Sequence, residues 1–219
     1  VTRETTPSPP VTKTLGRSVE GRPIDAHLLG DGPLVVLFLA TIHGDEAAGT
    51  PLLERLHERL RAESRLLAGR RAVIVPVANP DGLARGTRAN ARGVDLNRNF
   101  PSPNFRAGSS GGRTALSEPE SRALHALLTE HRPARIVSLH QPLACVDWDG
   151  PGEELARRMA AACRLPARRL GSRPGSLGSW AGITLGLPIV TLELPARAPA
   201  SPDALWERYG PALMVALSH

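Results

Sequence analysis

The chain has 219 residues, 41% hydrophobic and 22% charged, with a net charge of +6, which places it among globular domains and outside disorder. Its longest apolar run, Leu34 to Ala40, is far short of the roughly 20 residues that span a bilayer, so no membrane association is expected. All 27 basic residues except Lys13 are Arg, interleaved with Asp and Glu, and aromatics make up 3%. With neither a basic stripe nor stacking aromatics, no nucleic-acid partner is expected; a small anionic substrate fits the charge better. No charged segment leading into an apolar stretch opens the sequence. The expected location is therefore the cytoplasm, with the periplasm or export as the alternative if Val1 is a processed start. Cys145 and Cys163 are too few for a disulfide framework or zinc cluster and are expected as buried, reduced thiols.

Residues 1–13 are polar and contain prolines, and read as a loose arm. Strands are expected at 24–29 and 34–40, split by the turn Gly30-Asp31-Gly32-Pro33. A helix follows over 46–63, with Leu52, Leu53, Leu56 and Leu60 on one face. A buried strand over 72–77 runs into the turn Asn79-Pro80-Asp81-Gly82, and Pro76 marks its end. Residues 101–119 form a loop rich in Ser, Gly and Pro, closed by Ser117 and Glu120 as a capping box for a helix to His131. Beyond lie a strand over 135–139, a helix over 151–163, a short helix over 176–185, a strand over 189–194 and a final helix over 203–217. Continuous apolar strands separated by helices predict one α/β domain over 14–219, a mixed, mostly parallel twisted sheet with helices on both faces.

In such a sheet, chemistry gathers at the carboxyl ends of the strands. Three of these ends carry ionisable groups. The first leads into Thr41-Ile42-His43-Gly44-Asp45-Glu46, where a His and a carboxylate three residues apart can face one metal ion; this short motif is weak alone. The second is Val137-Ser138-Leu139-His140, which offers a third ligand. The third places Glu193 inside an apolar strand, where an unpaired carboxylate is costly. Two His and one Glu on Zn²⁺ leave an open coordination position, the pattern of catalytic sites, and a further carboxylate nearby would serve as general base. The stretch 87–101, TRANARGVDLNRNFP, is poor as helix or strand. Val94, Leu96 and Phe100 would pin it, leaving planar donors suited to gripping a carboxylate.

The ordered set GRSVEGRPI (16–24), HGDE (43–46), NPDG (79–82), TRANARGVDLNRNFP, the His140 strand and Glu193 resembles the zinc carboxypeptidase family. The segments His140-Gln141-Pro142-Leu143-Ala144-Cys145 and Pro174-Gly175-Ser176-Leu177-Gly178-Ser179-Trp180 are similar to its bacterial murein peptide amidase branch. The resemblance spans about residues 15–217. It implies one Zn²⁺ per chain held by His43, Glu46 and His140, with Asp95 accepting a hydrogen bond from a ligand imidazole, expected to be His43. It further implies Arg88 as the cation at the scissile carbonyl, Asn97 and Arg98 as the grip on the free carboxylate of the leaving residue, and Glu193 as general base. Gln141 stands where that branch commonly has Asp, and is expected to touch the far end of the leaving residue. The relatives bend sharply after the third ligand, so a cis Gln141–Pro142 bond is expected. Tyr209, the sole tyrosine, belongs to the last helix and leaves the active-site tyrosine of the digestive carboxypeptidases without a counterpart.

The activity implied is zinc-dependent hydrolysis of the γ-D-glutamyl to meso-diaminopimelate bond in murein peptides during cell-wall recycling or turnover, with a murein-derived peptide bearing a free carboxylate as partner. A deacylase resembling aspartoacylase and succinylglutamate desuccinylase, or a general small zinc carboxypeptidase, is the alternative among enzymes. An inactive peptidoglycan-binding module is the alternative among non-enzymes.

Overall fold

The computed structural model describes residues 10–219. Seven strands form one sheet in the order β1-β2-β4-β3-β5-β7-β6: β1 Val11–Arg17, β2 Pro23–Leu29, β3 Leu34–Ala40, β4 Arg70–Val75, β5 Arg135–His140, β6 Leu143–Asp149 and β7 Ile189–Pro195. The four central strands, β4, β3, β5 and β7, are parallel, and β1, β2 and β6 add antiparallel edges. Helices α1 (Gly49–Ala62), α2 (Pro80–Arg85), α3 (Pro119–His131), α4 (Glu153–Cys163) and α5 (Pro202–Ser218) connect them.

The run Leu34 to Ala40 is apolar throughout because both faces of β3 are covered. Val36, Phe38 and Ala40 pack with the leucines of α1 and with α4 and α5. Val35, Leu37 and Leu39 face the opposite core, under α3 and the segment carrying Leu96 and Phe100. Leu52, Leu53, Leu56 and Leu60 of α1 are all fully buried, each contributing about 1.5–3 kcal/mol of transfer free energy. Tyr209 is buried in this same core and far from chemistry. Both cysteines are buried free thiols.

Several expectations need correction. The loose arm does not extend to residue 13: Val11, Thr12 and Lys13 pair with β2, while residues 1–9 lie outside the described residues. The edge strand β6 was not anticipated at all. Helix α1 starts at Gly49 rather than at Glu46, because residues 43–48 turn to bury the side chains of His43 and Glu46. The capping box at α3 does not form: Glu118 is the N-cap, and its side chain makes no capping hydrogen bond to the helix. Ser117 Oγ instead donates to Glu118 Oε1, and the Glu120 carboxylate accepts from Val19 N and Asn90 Nδ2. The expected turn at 79–82 continues into α2, with Asn79 Oδ1 accepting from Gly82 N as N-cap. The short helix near 176–185 is a π-helical turn, Gly178–Thr184.

The turns at 43–46 and 79–82 touch backbone to backbone. A Cβ on Gly44 would lie 1.9 Å from the Gly82 carbonyl carbon, so only glycine permits this approach. Gly44→Ala is expected to destabilise the protein by about 1–3 kcal/mol or more through overpacking. Urea unfolding measures it; an unchanged midpoint would show that the two turns part without cost.

Candidate metal centre and active-site cleft

The chain winds away from β3 in both directions, to β4 on one side and β5 on the other, and this reversal opens a crevice at the strand carboxyl ends. His43 follows β3 closely, His140 ends β5, and Glu193 lies on β7 in register with His140. Parallel pairing therefore sets the third expected ligand beside the expected base. His43, Glu46, Arg88, Asn97, Arg98, His140, Gln141 and Glu193 all line one cleft.

At its base, Glu46 Oε1 lies 2.8 Å from His43 Nδ1 and Glu46 Oε2 lies 2.8 Å from His140 Nδ1. The two Nδ1 atoms are 3.2 Å apart. All three residues are buried, and the donor atoms lie within 4.8 Å of one another, the one such group of His, Cys, Asp or Glu among the described residues. Zinc–nitrogen bonds of about 2.0–2.1 Å in a tetrahedron give an edge of about 3.3 Å, which the imidazole pair matches. Two imidazole nitrogens and a carboxylate aimed at one point are a donor set that suits Zn²⁺. His43, Glu46 and His140 fit the ion.

Asp95 supports the set from behind. His43 Nε2–H donates to Asp95 Oδ1 at 3.1 Å, which leaves Nδ1 bare toward the cleft. Burial alone would raise the Asp95 carboxyl, but the bond from His43 and the charges of Arg88 and Arg98 outweigh it and bring it down to about 2. Burial would likewise raise Glu46, yet its bonds to His140 and His43 hold it well below the usual carboxylate range. Arg88 donates through Nε to Asp95 Oδ2 and through Nη1 to Glu46 Oε1, both at 3.0 Å. Its Nη2 has no partner among the described residues.

Glu193 is buried, and that burial, with Glu46 adding, raises its carboxyl above the ordinary value against the opposing effects of His140 and Leu143 N–H. A carboxyl so tuned suits proton transfer near neutral pH. The segment 87–101 is pinned by buried Val94, Leu96 and Phe100. Within it Asn90 and Asn99 serve the fold: Asn90 bonds Glu118 and Glu120, and Asn99 bonds Gly111 O, Thr114 O and Ser117 Oγ. Asn97 Oδ1 accepts from Leu177 N, which fixes the amide at the cleft wall. Arg98 is half-buried, its guanidinium anchored through Nη1 to Asn97 O, and its backbone carbonyl admits only glycine opposite: a Cβ on Gly175 would come within 2.1 Å of Arg98 O. Gln141–Pro142 is cis. Gln141 lines the cleft, but both ends of its amide hold backbone groups, Oε1 accepting from Ala48 N and Nε2 donating to Pro195 O. Its main-chain N–H donates to Glu46 Oε2. Among the cleft residues that went unnoticed in the sequence are the charged Asp147, Asp149 and Arg173. The two acids lie on the unanticipated strand β6, and only the alternation of Cys145, Asp147 and Asp149 could have marked a common face.

A parallel sheet that brings a His-Glu-His donor set, a buried carboxylate and two arginines to one cleft defines a metal-dependent hydrolase. The chain belongs to the zinc carboxypeptidase family, whose family model matches residues 2–145. Murein peptide amidase A of Escherichia coli (strain K12) is 37% identical over 223 residues, covering 92% of this chain and 87% of that protein. The protein of the same name from Vibrio campbellii is also 37% identical, covering 84% of this chain and 77% of its own. The crystal structure of murein-tripeptide amidase MpaA from Escherichia coli O157 superposes with a TM-score of 0.75 at 34% identity, over 98% of this chain and 94% of that one. Carboxypeptidase A from Helicoverpa armigera shares the fold, with a TM-score of 0.80 at 23% identity over 95% of this chain and 69% of its own. Glu193 lies beyond the family-model match, and the sheet register places it.

Asp95→Asn is expected to weaken zinc binding about 10–100-fold, the usual effect of losing a carboxylate that orients a ligand imidazole. Competition with a chelator measures it. Affinity equal to wild type would mean that His43 keeps its orientation without Asp95.

Proposed function

We propose that the protein hydrolyses the γ-D-glutamyl to meso-diaminopimelate bond of murein peptides. The observation that carries this reading is the placement of His43, Glu46, His140, Glu193, Arg98 and Asn97 around one cleft, in a chain 37% identical to a murein peptide amidase along 92% of its length.

His43, Glu46 and His140 would hold Zn²⁺, which when bound acidifies water and polarises a carbonyl. Asn97 and Arg98 take the free carboxylate of the leaving residue; the anchored guanidinium loses little freedom on binding. That contact sets the scissile amide between Arg88 and Glu193. The unpartnered Nη2 of Arg88 donates to the carbonyl oxygen as negative charge grows there. Glu193 takes the proton of the attacking water and delivers it to the departing amine. Because Glu193 is not among the ligands, its loss separates catalysis from metal binding.

The direct test is incubation with L-Ala-γ-D-Glu-meso-diaminopimelate, with and without a chelator, read by mass spectrometry. Release of free diaminopimelate that stops on metal removal supports the reading, and an intact peptide with zinc-loaded enzyme refutes it. Glu193→Gln should lower kcat by about 10²–10⁴-fold while zinc content stays at one per chain; normal turnover would remove Glu193 from the base role. Arg98→Ala should lower kcat/KM about tenfold or more on a peptide with a free leaving-group carboxylate, and much less on its amide. Equal losses on the two peptides would show that Arg98 does not contact that carboxylate.

A further inference from the structure

Outside the cleft, two histidines from different elements lie ring on ring. His27 of β2 and His57 of α1 have ring centroids 4.1 Å apart and planes within 4° of parallel. Both are half-buried, and neither lines the cleft. Each is accompanied by a carboxylate on its own face. Asp25 precedes His27 by two residues, the period of a strand, and Glu54 precedes His57 by three, close to one helical turn. The charges of Asp25 and Glu54 both act on His27, so the strand pair and the helix pair meet at one place. Asp25 and His27 also line a hollow of about 230 Å³ with Pro23, Pro76 and Val77.

Stacking leaves the ring nitrogens unused. His27 Nδ1 lies 2.9 Å from Thr12 Oγ1. A hydroxyl can accept there, which keeps the proton on Nδ1 and leaves Nε2 bare, the arrangement of a metal-ligating imidazole. His27 Nε2 and both nitrogens of His57 have no hydrogen-bond partner among the described residues, and none of the three is sealed from solvent. Burial lowers both imidazoles from their ordinary value. Arg61 adds to this at each, and His27 adds to it at His57; Asp25 and Glu54 oppose it at His27, and Glu58 at His57. The pair is therefore neutral at pH 7, the form that binds a metal.

We propose that His27 and His57 form a second metal site, a two-imidazole clamp for a divalent transition-metal ion such as Ni²⁺ or Zn²⁺, distinct from the His43, Glu46 and His140 set. Imidazole suits these ions. Bonds of about 2.0–2.1 Å in a tetrahedron need nitrogens about 3.3 Å apart, which a modest tilt of rings stacked at 4.1 Å supplies. As the side chains stand, no carboxylate among the described residues closes a three-ligand group here. Water completes the shell, and the charges of Asp25 and Glu54 offset that of the ion. With two protein ligands against three, the site is weaker than the metal centre of the cleft and empties first. A bound ion ties α1 to β2, and the site stands whether or not the amidase reading does.

The test is equilibrium dialysis of the zinc-loaded protein against Ni²⁺ at pH 7.5, with nickel and zinc per chain counted by atomic-emission spectrometry. Wild type should take up one nickel while keeping its zinc, and its melting temperature should rise with nickel concentration, as for any ligand that binds the folded state alone. Two variants separate ligation from stacking. His57→Phe keeps an aromatic ring against His27 and removes the ligand. His57→Gln removes both, on a helix flank that glutamine suits. In each, nickel affinity should fall at least about tenfold, since even the groups behind a ligand are worth that much, while zinc content stays as in wild type. The nickel-dependent rise in melting temperature should vanish with it. Equal nickel affinity in wild type and His57→Phe overturns the site and assigns the pair to packing. Absence of uptake by wild type, or nickel taken up only in exchange for zinc, overturns it as well.

Discussion

The single carboxylate of Glu46, held between two imidazoles, is the constraint around which the molecule is arranged. Each of its oxygens lies 2.8 Å from a histidine nitrogen, one arriving from the end of β3 and one from the end of β5. Such a group tolerates burial only if every neighbour is fixed. The main-chain N–H of Gln141 and the guanidinium of Arg88 both donate to it, and Asp95 holds His43 and Arg88 together from behind. Glu46 has left the helix register to reach this place, and that is the physical reason α1 starts three residues later than its apolar periodicity suggests. Local helix propensity gives way here to a charge network that can be satisfied in one geometry.

Much of what looks like a catalytic signature in the sequence is framework for that network. Asp81 is fully buried and accepts from Ser18 Oγ, Glu20 N and Arg22 Nη1, so the 16–24 turn is tied to the 79–82 turn. Asn79 caps α2 and donates to Ile42 O and Arg88 O, which links the strand end that carries His43 to the segment that carries Arg88. Asn90 and Asn99 hold the remainder of that segment against Glu118 and Glu120 or the 111–117 loop. A polar loop cannot be pinned by three apolar residues alone without leaving backbone groups unpaired; the amides supply those bonds. Arg88, Asn97 and Arg98 are then free to present donors to a cleft on a rigid support.

The central sheet was legible because continuous apolar strands such as Leu34 to Ala40 have one explanation, coverage on both faces. The ligand positions followed from strand ends, and the family resemblance supplied their roles. The edges were illegible for physical reasons. Strand β1 is exposed over most of its length and polar, held by backbone pairing to β2, which leaves no periodicity in the side chains. Strand β6 carries two Asp, residues depleted in strands, and the following Gly150-Pro151 reads as a turn, yet its acids point into a cleft rather than to solvent. Ser117 and Glu120 satisfy the spacing of a capping box, but tertiary partners at Asn99, Val19 and Asn90 compete for the same oxygens. Gln141 shows the limit of reasoning by adjacency. It follows a ligand directly, and still its amide faces backbone groups at Ala48 and Pro195, binding the start of α1 to the end of β7.

The charges around the cleft are unequal in number. Arg88, Arg98 and Arg173 line it against Glu46, Glu193, Asp147 and Asp149, with Asp95 immediately behind. Three positive charges against five negative leave a deficit of two when all are ionised, the charge of one divalent cation, and the converging donors of Glu46 and the two histidines put that cation at the base. The remaining groups divide by position. The arginines come from the loops at 88–98 and 173, and Asp147 and Asp149 from β6. A protein whose net charge is +6 thus keeps an acidic wall inside a basic surface.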